Sequence, residues 1–163
     1  MKLATGCLGG GLGAALIVPA TRLALGVTGR KTVTSASEPI DAIAADKVGV
    51  TPVAITLRAA SVRDAWATTR DVPLGVAFVR KTADGQIRAL SSVCPHLGCT
   101  VGFDPATGKY HCPCHDGVFA IDGAREKGPA KRGLDELPLV IDNGRIKIQW
   151  VRYRLGGGTK EPA

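Results

Sequence analysis

Aromatic residues are scarce in this chain of 163 residues, which holds two Trp, two Tyr and three Phe. It holds 21 Gly and 10 Pro, a composition that favours a loop-rich β fold over a helical bundle. The formal net charge is +7, but no basic run is interleaved with aromatic residues, so we expect no nucleic-acid partner. The surplus positive charge suits a solvated surface or attraction to acidic lipid or an acidic partner.

Motifs of common hydrolases are also missing. The sequence has no recognisable Ser/His/Asp set, no phosphate-cradling glycine loop and no His-Glu-x-x-His motif. A stand-alone hydrolase is therefore unsupported. What the chain does have is a concentration of cysteine and histidine: four of its five Cys and all three of its His lie between residues 94 and 115.

Two short stretches hold the chemistry, residues 94–99 (CPHLGC) and residues 112–115 (CPCH), with fifteen residues between His96 and Cys112. Each stretch offers a thiolate and an imidazole, as C-x-H and C-x-x-H. A zinc finger usually groups Cys with Cys and His with His, whereas here each loop has one of each. The mixed order fits a [2Fe–2S] centre in which two Cys hold one iron and two His hold the other.

Two other interpretations stay open at this point. The four Cys and two His are compatible with a structural zinc site, or with two ordinary disulfides beside incidental histidines. His111 falls on no ligand position and is interpreted as the end of a strand. Cys7 lies in an apolar run and is interpreted as a buried membrane thiol.

On these two motifs the chain resembles the Rieske iron–sulfur proteins, and most of all the membrane-anchored Rieske subunit of cytochrome bc complexes. The resemblance implies one [2Fe–2S] cluster, whose ligands are Cys94, His96, Cys112 and His115. It also implies a disulfide between Cys99 and Cys114, a pair that Rieske ferredoxins of ring-hydroxylating oxygenases usually lack. Such a bridge needs an oxidising compartment.

A third stretch, Gly128-Pro129-Ala130, resembles the loop that covers the cluster in this family. The resemblance implies an apolar lid at these residues. Lys131 follows where related chains often have another Pro, which predicts a looser or more basic lid.

The resemblance implies an electron-transfer function. The chain is expected to take one electron from quinol, coupled to a proton through a cluster histidine, and to pass it to a c-type cytochrome. His115, His96 and Leu97 are the expected quinol contacts, and cytochrome b is the expected partner in a dimeric multi-subunit complex. The alternatives are a Rieske subunit of a periplasmic molybdenum oxidase of the arsenite-oxidase kind and an anchored structural zinc module.

The chain departs from the high-potential members of the family after the second histidine. Gly117 stands where they usually have Ser, and Phe119 where they usually have Tyr. Hydrogen-bond donors near cluster sulfur stabilise the reduced cluster, so their loss predicts a lower potential. Asp116 adds a nearby negative charge that acts in the same direction. A low-potential quinol such as menaquinol is therefore expected.

The N-terminal part predicts an anchor and a tether. Nineteen residues from Leu3 to Thr21 have no charge, which is long enough to cross a bilayer core of about 30 Å. The start, Met1 to Gly6, resembles the tail of a twin-arginine export signal, so we expect the true start to lie further upstream. Residues 1–25 are assigned to a single-pass anchor in the bacterial cytoplasmic membrane, with the head outside, and residues 26–47 to a flexible tether.

Residues 48–155 are assigned to a mostly β head, and residues 156–163 to a tail that is either flexible or a strap against another subunit. Short alternating runs predict an antiparallel sandwich or barrel. Asp84-Gly85 and Asn143-Gly144 predict hairpin turns. Both Cys–His stretches fall in loops at strand ends, where a rigid scaffold can present a site.

Overall fold

The computed structural model describes residues 18–19, 21–22, 38–63 and 67–163. The chain divides into two units, one of which comprises Met1–Val33 and Arg63–Thr69. In that unit residues 18–19 and 21–22 are helical, and the Thr21 hydroxyl donates to the Val18 carbonyl at 3.1 Å. Within the described ranges no helix is both long and apolar enough to span a membrane. The predicted anchor, residues 1–25, lies almost entirely outside these ranges.

The other unit, Thr34–Val62 with Arg70–Ala163, contains most of the strands. The strands of the described residues are β1 (Ile40–Ala44), β2 (Val53–Arg63), β3 (Thr68–Lys81), β4 (Ile87–Ser91), β5 (Gly102–Asp104), β6 (Lys109–Cys112), β7 (Gly117–Phe119), β8 (Arg125–Lys127), β9 (Leu139–Asp142) and β10 (Arg145–Ile148). They form three sheets, in the orders β1-β10-β9, β2-β3-β4 and β5-β6-β7-β8. The predicted mostly β, antiparallel architecture is confirmed.

Both predicted hairpin turns are present. Asp84-Gly85 joins β3 to β4, and Gly85 has a φ of 82°. Asn143-Gly144 joins β9 to β10, with φ of 48° and 72°. Two consecutive left-handed residues match the twist of the flanking strands, which is why Asn-Gly is favoured in two-residue hairpins.

The β2-β3-β4 sheet separates two apolar cores. Side chains alternate between the faces of a strand, so Ala77 and Val79 of β3 pack into one core with Ile146, Ile148 and other residues. Phe78, between them, packs into the second core. The second core also contains Tyr110 and Phe119 of the four-stranded sheet, together with Cys94 and Cys112. The predicted site is therefore built on a packed scaffold.

One strand lies where the sequence predicted a tether. Ile40–Ala44, within the tether assigned to residues 26–47, forms β1 and pairs with β10, and Ile40 lies opposite Ile148. Ile40 and Ile43 pack against the first core, a stabilising contact that the irregular spacing of the segment does not reveal. A 3₁₀ turn, Ala45–Lys47, follows β1. Residues 40–44, within the range assigned to the tether, are therefore part of the β structure.

The C-terminal end folds back onto the head. We call residues 153–163 the return segment, which includes the predicted tail. The Arg154 N–H donates to the Glu161 carbonyl at 2.8 Å, and the Ala163 N–H donates to the Arg152 carbonyl at 2.9 Å. Tyr153 and Pro162 form an antiparallel bridge. The segment is therefore hydrogen-bonded within its own chain.

Candidate metal centre

The first loop, Cys94–Cys99, follows β4 and closes on itself. The Cys94 N–H donates to the Cys99 carbonyl at 2.8 Å, and the Gly98 N–H donates to the Cys94 carbonyl at 2.9 Å. Gly98 has a φ of 84°, a conformation that side chains disfavour. This tight turn buries Cys94, leaves His96 half-buried and exposes 62% of Leu97.

The second loop, Cys112–Gly117, is the hairpin between β6 and β7. Cys112 and Gly117 lie opposite each other at the strand ends. Asp116 has a φ of 50°, a left-handed conformation that Asp tolerates better than most residues. Cys112 is buried, while Cys114 and His115 are exposed. Each loop therefore has one buried cysteine and one more accessible histidine.

A disulfide between Cys99 and Cys114 joins the two loops, with a Cα–Cα distance of 6.6 Å. The rings of His96 and His115 meet edge to face, with centroids 4.8 Å apart. The Sγ atom of Cys112 lies within 4.8 Å of both disulfide sulfurs. Because the disulfide sulfurs are already bonded to each other, they are not available as thiolate ligands. The remaining donors are two thiols and two imidazoles.

Cys94 and Cys112 are the free cysteines of the described residues, and both are buried. Burial raises the pKa of the Cys94 thiol to about 11, and the neighbouring Cys112 acts in the same direction. A thiolate at this place needs a compensating positive charge, which bound iron supplies. Two adjacent buried thiols and two imidazoles on the same pair of loops fit the donor set of a [2Fe–2S] centre with two Cys and two His ligands.

Backbone donors add to the site in a way that the sequence did not reveal. The backbone N–H groups of His96 and Leu97 are directed at the Cys94 sulfur, where they lower the pKa of its thiol against the larger effect of burial. They are a consequence of the tight turn and need no particular side chain. Donors of this kind favour negative charge on the sulfur.

The lid loop, Gly128–Ala130, packs directly on the second loop. A Cβ atom placed on Gly128 would lie 2.7 Å from the Gly117 Cα, and Gly128 has a φ of 101°. Glycine is required here by both the close approach and the backbone conformation. Arg125 donates to the Gly128 carbonyl at 2.8 Å. Ala130 is buried among the same residues as the two thiols, whereas Pro129 is exposed.

The residues after the second histidine pack tightly around Cys112. A Cβ atom on Gly117 would lie 3.2 Å from the Cys112 Cβ and 3.5 Å from the Phe119 ring. Phe119 is fully buried. The ring edge of Phe119 therefore lies beside the second loop, in the same core as the two thiols.

His111 takes no part in the site. It lies within β6, next to Cys112, and its side chain is exposed. Its Nε2 atom lies 3.4 Å from the Thr107 hydroxyl in the turn after β5. The interpretation of His111 as a strand residue is confirmed. Cys7 lies outside the described residues.

Comparison with known proteins identifies the family. The Rieske [2Fe-2S] domain matches residues 56–138. The chain is 31% identical over 145 residues to the menaquinol:cytochrome c reductase iron-sulfur subunit of Bacillus subtilis (strain 168), a match that covers 86% of this chain and 83% of that one. It is 40% identical over 72 residues to the chloroplastic cytochrome b6-f complex iron-sulfur subunit of Bigelowiella natans.

The match to the Bigelowiella natans subunit covers 44% of this chain. It spans only 29% of the length of that relative. Among solved structures, the plasma membrane Rieske protein PetC3 from Synechocystis PCC 6803 is 32% identical, with a TM-score of 0.41 over 55% of this chain and 85% of that chain. The family match extends over half of the sequence and includes both loops and the lid loop. The chain therefore belongs to the Rieske [2Fe–2S] family and holds one Rieske cluster.

Proposed function

We propose that the chain is the Rieske electron-transfer subunit of a quinol–cytochrome c oxidoreductase. The observation that supports it most is the pair of buried thiols, Cys94 and Cys112, on two loops that a disulfide joins and whose histidine rings lie 4.8 Å apart. That disulfide favours the bc-type subunit over the Rieske ferredoxins of oxygenases, which usually lack it. The Bacillus subtilis relative is named as the iron–sulfur subunit of a menaquinol:cytochrome c reductase.

The proposed ligands are the thiolates of Cys94 and Cys112 and the imidazoles of His96 and His115. When bound, the cluster supplies a one-electron carrier whose charge is coupled to the protonation of its imidazole ligands. The chain's own residues keep the thiolates away from water and leave the histidines accessible. The disulfide keeps both loops together during each cycle.

The exposed end of the two loops is the proposed quinol contact. One ring nitrogen of His115, the more exposed histidine, accepts a hydrogen bond and then a proton from the quinol hydroxyl, and His96 lies against it. Leu97 gives this end an apolar tip that suits the ring and tail of a quinol. The lid loop, Gly128–Ala130, covers the buried side of the site.

The proposed partners are a cytochrome b subunit, which completes the quinol site, and a c-type cytochrome as electron acceptor, in a dimeric complex. The proposed quinol is menaquinol, because the hydroxyls of a Ser and a Tyr are replaced by Gly117 and Phe119. Residues 1–25 are the proposed single-pass anchor in the bacterial cytoplasmic membrane. The head would lie on the outer side, where the Cys99–Cys114 disulfide persists.

Metal analysis of two histidine variants tests this proposal. We expect the purified chain to contain two iron and two acid-labile sulfide per molecule, from the formula of the cluster. The variant His115→Ala should lose both, whereas His111→Ala, a change at the strand histidine that lies only four positions away, should retain both. Zinc without sulfide in the wild type would support the structural zinc module instead. Co-purification with a molybdenum subunit, and not with b-type haem, would support the molybdenum-oxidase alternative.

A further inference from the structure

A buried ion pair connects the lid side of the head to the return segment. Arg132 and Asp135 are 9% and 5% exposed, and two hydrogen bonds of 2.8 and 2.9 Å join the guanidinium to the carboxylate. Burying two charges is costly unless their remaining donors are also used. Arg132 meets this condition, because its other donors bind the carbonyls of Arg154 and Gly157, both at 2.8 Å.

The part of the return segment that Arg132 holds lies against the first loop. The Gly156 N–H donates to the Pro95 carbonyl at 2.9 Å, immediately before His96. The Leu155 side chain covers Gly98, since a Cβ atom placed there would lie 3.0 Å from Leu155 Cδ1. Both contacts come from residues between the two carbonyls that Arg132 binds. Arg132 therefore acts on the first loop through Leu155 and Gly156.

We propose that Arg132 is a positioning residue for the first loop and acts on it through the return segment, which lies between them. By fixing Leu155 and Gly156, it restricts Pro95 to Gly98 and so sets the orientation of His96 and the place of Leu97. The idea rests on the proposed function, because the first loop matters to electron transfer only if His96 is a cluster ligand. Arg132, Leu155 and Gly156 lie outside the two ligand loops, the disulfide and the lid loop.

The geometry explains why arginine is needed at this position. A planar guanidinium binds both carboxylate oxygens and still has donors directed at two carbonyls. Lysine keeps the charge but cannot reproduce these four hydrogen bonds. Arg132→Lys should therefore behave more like Arg132→Gln than like wild type, although the local charge is retained.

Two full-length, cluster-loaded variants test the proposal from different sides. Arg132→Gln removes the ion pair, while Leu155→Ala leaves it intact and removes only the contact with Gly98. The control is Arg145→Gln, which breaks an exposed ion pair with Asp41 at the β1–β10 edge. Hydrogen–deuterium exchange of peptides that contain Gly98 and Gly156 is measured by mass spectrometry. The g values of the reduced cluster are measured by EPR.

We expect hydrogen exchange in the first-loop peptide to become roughly tenfold faster in both variants. Local opening of the loop costs less free energy once its contacts with the return segment are lost or weakened. The g values should shift in both variants and stay unchanged in Arg145→Gln. Wild-type exchange in the first loop and wild-type g values in folded Arg132→Gln would overturn the proposal, whatever Leu155→Ala shows. If Arg132→Gln does not fold, Arg132→Lys takes its place, with the same expected result and the same contradicting result.

Failure of this proposal is distinguishable from failure of the proposed function. A wild-type chain without a Rieske EPR signal would contradict the proposed function. The exchange measurement does not depend on that signal and still decides whether Arg132 restrains the first loop.

Discussion

At the scale of single residues, Gly117, Phe119 and Asp116 set the expected redox potential. The backbone donors to Cys94 remain, but no side-chain hydroxyl at position 117 or 119 donates to sulfur. The reduced, more negative cluster is therefore less stabilised. We expect a midpoint potential in the lower part of the range of about −150 to +300 mV that is known for Rieske centres.

Phe119→Tyr should raise the midpoint potential. Phe119 packs in the core that contains both thiols, with its ring edge beside Gly117, and we expect the new hydroxyl to donate to sulfur as the tyrosine of high-potential family members does. A hydrogen bond to a charged acceptor is worth about 1.5–3 kcal/mol. Only the difference in this energy between the reduced and the oxidised cluster changes the potential. We therefore expect the midpoint potential to rise by an amount on the order of 50 mV. The measurement is a redox titration followed by EPR.

The matched control for this change is Phe103→Tyr, which adds a hydroxyl near Tyr110 in the same apolar core. Its potential should equal that of wild type. An unchanged or lower potential in Phe119→Tyr would contradict the assigned role of position 119. Gly117→Ser is a less clean test, because its Cβ meets Cys112 Cβ at 3.2 Å.

Asp116→Asn should also raise the potential, through charge alone. Asn is similar in size to Asp and tolerates the left-handed φ of 50° at this position. Removing an exposed, screened charge near the site should give on the order of 10–30 mV. The control Asp142→Asn removes an equal charge from β9, where Asp142 pairs with Lys147. Equal shifts in both variants would mean that net charge, and not position, is responsible.

At the scale of elements, the site depends on three loops that hold one another. The disulfide joins the first loop to the second, and the lid loop packs on the backbone of Gly117. The return segment supports the first loop from the other side. The contacts between the loops therefore add to the hydrogen bonds within the first loop in determining the site.

Gly128→Ala should loosen the lid and weaken retention of the cluster. The added methyl group would clash with the Gly117 Cα. Holding an alanine at a positive φ costs about 1–2 kcal/mol more. Gly108→Ala also places a side chain at a positive φ, 67°, but with open space around its Cβ, which makes it a control for a substitution at a positive-φ glycine. We expect Gly128→Ala to be less stable than this control by about 1–3 kcal/mol.

Thermal loss of iron from both glycine variants measures this difference. Gly128→Ala should lose iron faster than Gly108→Ala at the same temperature. Equal rates would show that the close approach of the lid to Gly117 does not help to hold the cluster.

The ion pair between Arg88 and Glu136 makes stability depend on pH. It joins β4 to the segment after the lid, with hydrogen bonds of 2.6 and 2.7 Å. Arg88 lowers the pKa of the Glu136 carboxyl below its usual value, about 4.3. A lowered native pKa stabilises the fold above the unfolded pKa, and this contribution is lost as the pH falls through the native pKa.

Glu136→Gln should therefore be less stable than wild type at pH 7, by about 0.5–1 kcal/mol for a pair that is 39% and 41% exposed. The gap should stay constant from pH 7 to about 5 and narrow as the pH falls below about 4.3, because the unfolded carboxyl is then protonated while the native carboxylate takes up its proton only at lower pH. Thermal unfolding of both proteins across this range measures the gap. A gap that is independent of pH would contradict the role assigned to the ion pair.

At the scale of the whole molecule, the sequence predicted the parts with local signals. Cys and His at fixed spacing predicted the site, and Asp84-Gly85 and Asn143-Gly144 predicted turns that depend on a few neighbouring residues. The return segment and β1 were missed because their partners lie far along the chain. Arg132 binds carbonyls at residues 154 and 157, and Ile40 pairs with Ile148. No periodicity within either segment reveals such contacts.

EPR of the dithionite-reduced protein in its native membranes tests the central claim most directly. The account predicts a rhombic Rieske signal that broadens or shifts when quinone-site inhibitors are added, because the proposed quinol contact is at His115 and Leu97. A Rieske signal that is indifferent to those inhibitors would contradict the quinol contact. Zinc in place of iron, with no Rieske signal, would contradict the cluster itself.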